Sequence, residues 1–231
     1  MTLKNSIYLI ILIILSGCET PIPEDVVSIK GLNIWVDEHE VTAFEFERFK
    51  HQFDIRIASD STTGWWYSLD SLRWEKSSMA THLKPNSMVG SDSLSPAVQV
   101  SWDDACSYCN ALNGRLPTVD EWEKMTQGEY IPGNIWEGFF PFKDEGKDGF
   151  SAVSSPVKSF SPNSNGLYDV HGNVWEWTSS KDAEGNFFVK SGSFLSDYNS
   201  GGFLPDYELA LSHDSLRVDL GFRCVYNKEK H

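Results

Sequence analysis

The sequence GLYDVHGNVWEWT, at residues 166–178, sets the character of the second half of the chain. Its glycine and asparagine residues break it into pieces too short for a long strand or helix, while Trp175 and Trp177 supply large apolar surfaces. Short segments of the same kind follow at residues 187–194 and 221–225. We therefore predict short, irregular strands around a core filled with indole rings, since the chain contains nine Trp.

Helix signals dominate the stretch before it. Thr42 and Thr118 are each followed three residues later by a glutamate, which is the pattern of a capping box, and Ser101 is a candidate N-cap. These signals predict helices over residues 43–51, 102–113 and 119–127. The last two, as the two main helices set against short strands, indicate an α+β fold with little regular secondary structure.

Other parts of the first half carry weaker signals. Residues 32–36 and 96–100 are predicted to form strands, because apolar residues dominate both segments. Residues 57–86 show no clear periodicity and contain Trp65 and Trp74. We predict a long, irregular surface excursion there, held to the domain by its aromatic side chains.

The N-terminus resembles the leader of a bacterial lipoprotein. Lys4 precedes an apolar run at residues 7–15, which is too short to cross a bilayer but typical of a signal-peptide core. The sequence LSGC at residues 15–18 resembles a lipobox, so Cys18 is expected to carry lipid. The alternative is an ordinary secretory signal with a chance cysteine. The expected division is a signal peptide at 1–17, a lipidated tether at 18–30 and one domain at 31–228.

The net charge and the cysteine content indicate where the protein works and which partners it can bind. The formal net charge is −14 at pH 7, which would repel nucleic acids and anionic lipid headgroups. We therefore expect no nucleic-acid partner. The predicted leader places the domain outside the cytoplasm, where cysteines oxidise. Once Cys18 carries lipid, Cys106, Cys109 and Cys224 remain, which allows one disulfide and one spare thiol.

Seven segments resemble the sulfatase-modifying factor family, whose oxidase members generate formylglycine. In chain order they are PAVQVSWDDA at 96–105, YC at 108–109, GRLPTVDEWE at 114–123, GNIWEG at 133–138, GLYDVHGNVWEWT at 166–178, SGSF at 191–194 and GFRC at 221–224. Each alone is a weak signal, but together they are highly specific and span most of the chain from Glu40 to Tyr226. The resemblance implies a C-type-lectin-like fold of the formylglycine-generating-enzyme type.

The same resemblance implies one or two calcium ions. The first ligand set maps onto the side chains of Asn134 and Asp148 and the carbonyls of Ile135 and Phe150, and the second onto the side chains of Asp169 and Glu176 and the carbonyls of Gly172 and Val174. Calcium prefers such mixtures of carboxylate, amide and carbonyl oxygens. Considered without the resemblance, Asn134 and Asp148 could instead cap turns, and Glu176 could pair with an arginine such as Arg223.

The resemblance further implies a disulfide between Cys109 and Cys224, which leaves Cys106 as the spare thiol.

The resemblance also indicates that this chain lacks the cysteine pair of the family's oxidase members. The oxidase members bind copper(I) through two cysteines, but the matching positions here hold Ser196 and Gly201. Copper(I) is a soft ion that prefers sulfur, so we expect no copper and assign no catalytic residue.

The missing cysteine pair determines which functions we consider. The favoured hypothesis is a non-catalytic, calcium-stabilised lipoprotein outside the cytoplasm, acting as a binding or scaffold component of a cell-envelope assembly. Its candidate binding loop contains Asp197, Tyr198, Asn199 and Phe203, and its partner is expected to be a protein or peptide of the envelope. The alternative is a divergent envelope enzyme of the same family. A Ser193–His171–Asp169 hydrolase triad is a weaker possibility, because the GxSxG elbow is absent.

Overall fold

The computed structural model describes residues 24–85, 92–204 and 207–228. The predicted signal peptide and Cys18 lie outside these residues. The described chain contains α1 (Ala43–Phe53), α2 (Trp102–Ala111) and α3 (Val119–Thr126). Thr42 and Thr118 form complete capping boxes, and Ser101 accepts a hydrogen bond from the backbone N–H of Asp104. All three helices therefore begin at the predicted caps.

Eleven short strands surround these helices in the described part of the chain. They are β1 (Val26–Ser28), β2 (Ile34–Asp37), β3 (Gly64–Ser68), β4 (Arg73–Ser77), β5 (Gly138–Phe139), β6 (Lys143–Asp144), β7 (Trp175–Lys181), β8 (Phe187–Lys190), β9 (Leu209–Leu211), β10 (Leu220–Gly221) and β11 (Val225–Asn227). They form a β1-β2-β11 sheet, a β10-β7-β8-β9 sheet and the hairpins β3-β4 and β5-β6. Pairing is antiparallel except between β10 and β7. The predicted mixture of helices and short strands is confirmed.

Three local predictions differ from the structure. Residues 96–100 do not form a strand, because Gln99 takes a left-handed conformation (φ 58°) and turns its amide to donate to the carbonyls of Trp65 and Pro85. Residues 57–86 are not wholly irregular, because β3 and β4 pair across five residues. Strand β1 starts at Val26 and pairs with β2, so a strand lies within residues 18–30, where a tether was expected.

Two clusters of buried apolar side chains form the core. The larger packs Phe46 and Phe49 of α1 and Tyr108 of α2 against residues such as Trp177 and Phe222. The smaller surrounds Trp122 and Met125 of α3. Every side chain of both clusters lies between residues 26 and 226. No helix in the described ranges combines the length and hydropathy needed to cross a bilayer.

Candidate functional site

A buried ion pair lies at the centre of the site. Arg223 donates to both carboxylate oxygens of Glu176 at 2.7 Å, and neither side chain is exposed. The same guanidinium donates to the carbonyl of Tyr168 at 2.9 Å. The arginine pairing that the sequence left open for Glu176 is thus present. Each oxygen of Glu176 keeps a second lone pair, so the pairing does not prevent it from contacting a cation.

Two further carboxylates are buried around this pair. Glu40 accepts a hydrogen bond from Asn173 at 3.0 Å, and Asp169 accepts one from the backbone N–H of Lys158 at 2.8 Å. The other oxygen of each, Oε2 of Glu40 and Oδ1 of Asp169, is buried without a hydrogen-bond partner. Burial, reinforced by the neighbouring carboxylates, raises the pKa of Glu40 well above its ordinary value. This arrangement is short of positive charge and fits a bound cation.

Glu40 is a site residue that sequence reasoning missed. It immediately precedes the apolar Val41, which is followed by the α1 cap Thr42, and its side chain is fully buried. A carboxylate beside the apolar Val41 was the available signal, because buried charges are costly unless they are paired or bind a metal. Its meeting with Asp169 depends on a contact between distant parts of the chain and could not be read from local spacing.

The first predicted calcium set lies on the loop that carries β5 and β6. Oδ1 of Asp148 accepts from the backbone N–H of Phe150 at 2.9 Å, whereas its Oδ2 is buried without a partner. Burial, together with the negative charges of Glu137 and Asp144, raises the pKa of Asp148. One carboxylate oxygen of Asp148 thus caps a turn, while the other oxygen fits a cation ligand.

Asn173 connects the two predicted calcium sets. Its Oδ1 accepts from Nδ2 of Asn134 at 3.2 Å and from the backbone N–H of Ser155 at 2.9 Å, while its Nδ2 donates to Glu40. Gly172 lies beside it, where an added Cβ would come within 2.3 Å of the carbonyl oxygen of Asn134. A side chain at that position would separate the two segments, so glycine is required there.

The positions of the missing cysteines lie on a tightly folded loop, which we call the Ser196 loop (residues 191–204). Ser196 is buried, and its Oγ accepts from the backbone N–H of Ser193 at 3.0 Å. Gly201 takes a left-handed conformation (φ 64°), and a Cβ added to Gly202 would lie 3.1 Å from Oγ of Ser196. The chain thus folds back on Ser196, and neither cysteine position offers sulfur to a soft metal.

Ser193 is engaged by a different network from the one a hydrolase would need. Its Oγ donates to Asp219 at 3.0 Å, and Asp219 in turn accepts two hydrogen bonds from Arg217. The ring of His171 is buried, and its Nδ1 accepts from the backbone N–H of Ile131 at 3.4 Å. No hydrogen bond in the described chain joins Ser193 to His171, so the triad considered from the sequence does not form.

The candidate binding loop divides into buried and exposed members. Asp197 is buried and accepts from the backbone N–H groups of Phe140 and Ser200. Phe203 is buried too, and its ring lies 5.3 Å from those of both Tyr130 and Tyr198. Tyr198 remains 60 % exposed, and Asn199 is also exposed. Tyr198 and Asn199 are therefore the members that can contact a partner directly.

The disulfide implied by the resemblance is present. Cys109 of α2 is bonded to Cys224, with a Cα–Cα distance of 5.6 Å, and Cys106 is free. Burial, together with the nearby Asp103, raises the pKa of Cys106 to about 12. A thiol that stays protonated at neutral pH is a poor nucleophile, which favours a packing role for Cys106.

Comparison with known proteins identifies the family of this chain. A family model described as a sulfatase-modifying factor enzyme 1-like domain matches residues 15–228. The chain belongs to this family. It is 35 % identical over 181 residues to the inactive C-alpha-formylglycine-generating enzyme 2 of Bos taurus, covering 70 % of this chain and 58 % of the relative. It is 37 % identical over 131 residues to the formylglycine-generating enzyme of Mus musculus, covering 50 % of this chain and 34 % of that protein. The chain thus spans little more than half of the bovine relative.

Solved structures of the same fold have more distant sequences. PvdO from Pseudomonas aeruginosa matches with a TM-score of 0.61 and 18 % identity, over 84 % of this chain and 80 % of that one. Variable protein 1 of Treponema denticola matches with a TM-score of 0.55 and 16 % identity, over 88 % and 91 %. At these identities the likeness establishes the fold alone. The predicted fold of the formylglycine-generating-enzyme type is confirmed.

Proposed function

We propose that this protein is a non-catalytic, calcium-stabilised lipoprotein of the bacterial envelope that binds a protein or peptide partner. One observation carries the proposal: the two positions that hold copper-binding cysteines in the family's oxidases are Ser196 and Gly201 in this chain. Oγ of Ser196 is buried and already accepts a backbone hydrogen bond. Neither residue can supply the thiolate that copper(I) prefers.

The nature of the relatives supports a non-catalytic role. The bovine relative is named as an inactive member, and the protein of the same name in Mus musculus is 34 % identical to this chain over 181 residues. Family membership therefore does not imply oxidase activity. The disulfide, the buried Glu176–Arg223 pair and both cores are present in this chain. The scaffold can thus serve for binding without the copper chemistry.

Calcium has a structural role in this proposal. The residues that would hold it are the predicted first set (Asn134, Ile135, Asp148 and Phe150), the predicted second set (Asp169, Gly172, Val174 and Glu176), and in addition Glu40. Three of their carboxylate oxygens are buried without partners, on Asp148, Asp169 and Glu40. A bound calcium ion supplies positive charge and oxygen coordination, which would fix loops that contain little regular secondary structure.

The partner surface is assigned to Tyr198 and Asn199. Tyr198 is an exposed aromatic side chain supported from below by Tyr130 and Phe203. Aromatic side chains supply large contact areas at low entropic cost, which is why they are enriched at binding surfaces. The lipid on Cys18 would hold this surface close to the membrane, outside the cytoplasm.

The experiment is site-specific photo-crosslinking in living cells of the source bacterium. A photoreactive phenylalanine analogue is placed at position 198, and a matched control places it at position 44, where the native phenylalanine is 54 % exposed on α1. The proposal predicts a discrete protein or peptide adduct from position 198 that is absent from position 44. If both positions give the same adducts, or if position 198 gives none, the assigned surface is wrong.

A further inference from the structure

The hairpin β5-β6 presents two unusually exposed aromatic rings. Phe142 is 73 % exposed and Phe139 is 65 % exposed, the highest values among large apolar side chains in the described residues. Their ring centroids lie 6.3 Å apart in a stacked arrangement. Singly exposed apolar side chains are common on proteins, but a stacked pair at a projecting turn indicates a contact surface.

The turn that carries these rings is rigidly supported. Phe140, between them in sequence, packs instead towards the domain, with its ring 5.0 Å from that of Tyr67 and 5.1 Å from that of Trp136. Its backbone N–H donates to the carboxylate of Asp197 at 3.2 Å. The outward position of Phe139 and Phe142 is therefore set by the fold, and it does not require the rings to move before they make a contact.

Glycine makes this hairpin possible. Gly138 has a φ of 147°, and an added Cβ would lie 2.3 Å from the carbonyl oxygen of Lys143 across the turn. The same carbonyl accepts a hydrogen bond from Nε1 of Trp136 at 3.0 Å. The exposed side chain of Lys143 follows Phe142 directly. Two rings followed by a lysine form a tip that suits the boundary between acyl chains and phosphate groups of a membrane.

Contacts between side chains connect the start of the described chain with the loop that carries the hairpin. Carboxylate oxygens of Asp25 and Glu38 lie within 4.8 Å of each other, and Glu38 pairs with Lys158. Phe160 lies two residues after Lys158, and its ring is 6.2 Å from that of Phe150, which lies on the loop that carries the hairpin. A short series of contacts thus connects the start of the described chain to the segment that bears the exposed rings.

The predicted tether is short. Six peptide steps separate Cys18 from Glu24, so they span at most about 20 Å when fully extended. A lipid on Cys18 would hold the hairpin at a high effective concentration near the bilayer. Two phenylalanine rings alone bury too little apolar surface to retain a soluble protein of net charge −14, but they suffice to orient one that is already anchored.

We propose that Phe139 and Phe142 insert into the lipid surface and orient the anchored domain on the membrane. The inference rests on the lipid anchor of the proposed function, because the anchor supplies the effective concentration. The lipid surface is favoured over a protein partner because two exposed rings followed by a lysine suit the membrane interface, and because the short predicted tether keeps the domain next to the bilayer. The insertion requires only the membrane interface and no specific lipid headgroup.

The test is hydroxyl-radical footprinting of the lipidated protein on phosphatidylcholine vesicles. Its reference is the unlipidated chain of residues 19–231, which contains both cores. Oxidation of Phe139 and Phe142 should fall several-fold on vesicles, whereas Phe44 and Phe53, which are 54 % and 46 % exposed on α1, should be oxidised equally in both samples. A second measurement follows the acetylation of Lys143. Vesicles should protect Lys143 from acetylation in the wild type and in the control F44S/F53S, but not in F139S/F142S.

Flotation of the vesicles distinguishes a failure of the insertion from a failure of the lipid anchor. If the protein floats with them and Phe139 and Phe142 are oxidised as in the free chain, the insertion is refuted while the anchor stands. If the lipobox-bearing chain does not float, the anchor and the insertion are refuted together. Equal protection of Lys143 in F139S/F142S and the wild type would also refute the insertion.

Discussion

The segment around Arg223 and Cys224 and the Ser196 loop are joined through the Ser193–Asp219 hydrogen bond, yet they are stabilised by different means. The first is held by a disulfide, a buried ion pair and pairing of β11 with β2. The second is held by side-chain hydroxyls, carboxylates and left-handed glycines. The disulfide, the ion pair and the strand pairing of the first segment do not involve Ser196 or Gly201, so substitutions at these two positions leave those interactions in place.

The largest expected effect is on the disulfide of the first segment. Replacing both cysteines, as in C109A/C224A, should lower the free energy of unfolding by about 4–5 kcal/mol, because the bridge closes a loop of 115 residues. Chemical denaturation of the oxidised proteins measures the difference. The matched control C106A should change stability by less than about 1 kcal/mol. An equal loss in C106A would mean that packing of α2, and not the bridge, carries the effect.

The buried ion pair should be nearly as important. R223M leaves Glu176 buried without its partner, and removal of one member of such a pair costs roughly 3–5 kcal/mol. The double variant E176Q/R223M should recover part of this loss in the same denaturation assay, because no uncompensated charge then remains at position 176. If the double variant is no more stable than R223M, the pair is not the source of the loss.

Calcium should stabilise the loops that carry its predicted ligands more than the segment around Arg223 and Cys224. At a calcium concentration about 100 times the Kd, binding adds about 2.7 kcal/mol. For a domain of this size the melting temperature should rise by roughly 5–10 °C relative to protein in chelator. D148N and E40Q should each reduce that response, since each changes a carboxylate with a buried, unpartnered oxygen. Identical melting curves with calcium and with chelator would contradict the proposal.

The last prediction concerns the pH dependence of stability in the segment around Arg223 and Cys224. Burial raises the pKa of Asp37 from 3.8 to about 7, although its Oδ2 accepts from the backbone N–H of Cys224 at 2.8 Å. At this group the folded state therefore binds more protons than the unfolded state between these values, and the contribution of Asp37 to stability should fall as the pH rises from about 4 to 7. In chelator, D37N should flatten this part of the stability–pH curve. If D37N and the wild type show the same change of stability over this range, the assignment is wrong.

Local and distant interactions explain what the sequence could predict. The starts of the helices were predictable because Thr42, Ser101 and Thr118 act within one turn of their own helix. Residues 96–100 were not, because the conformation of Gln99 depends on carbonyls of another segment. Neither residue spacing nor charge pattern indicated that Glu40 meets Asp169, because their juxtaposition requires the finished fold.

Predictability of the candidate site follows the same division. The disulfide and the positions of Ser196 and Gly201 could be assigned by resemblance, because each maps onto a short motif. The burial of Asp197 and Phe203 could not, because polar and aromatic residues in a loop are typical of exposed surfaces as well. Their contacts with Phe140 and Tyr130 join segments far apart in sequence.

The central claim is that copper chemistry is absent because sulfur is absent from the Ser196 loop. Its most direct test is competition for copper(I) against a chromogenic chelator, with the wild type and S196C/G201C compared under anaerobic conditions. We expect the wild type to leave the metal with the chelator and the double variant to withdraw it. A wild-type protein that takes copper(I) from the chelator and then oxidises a cysteine-containing peptide to its aldehyde would contradict the account.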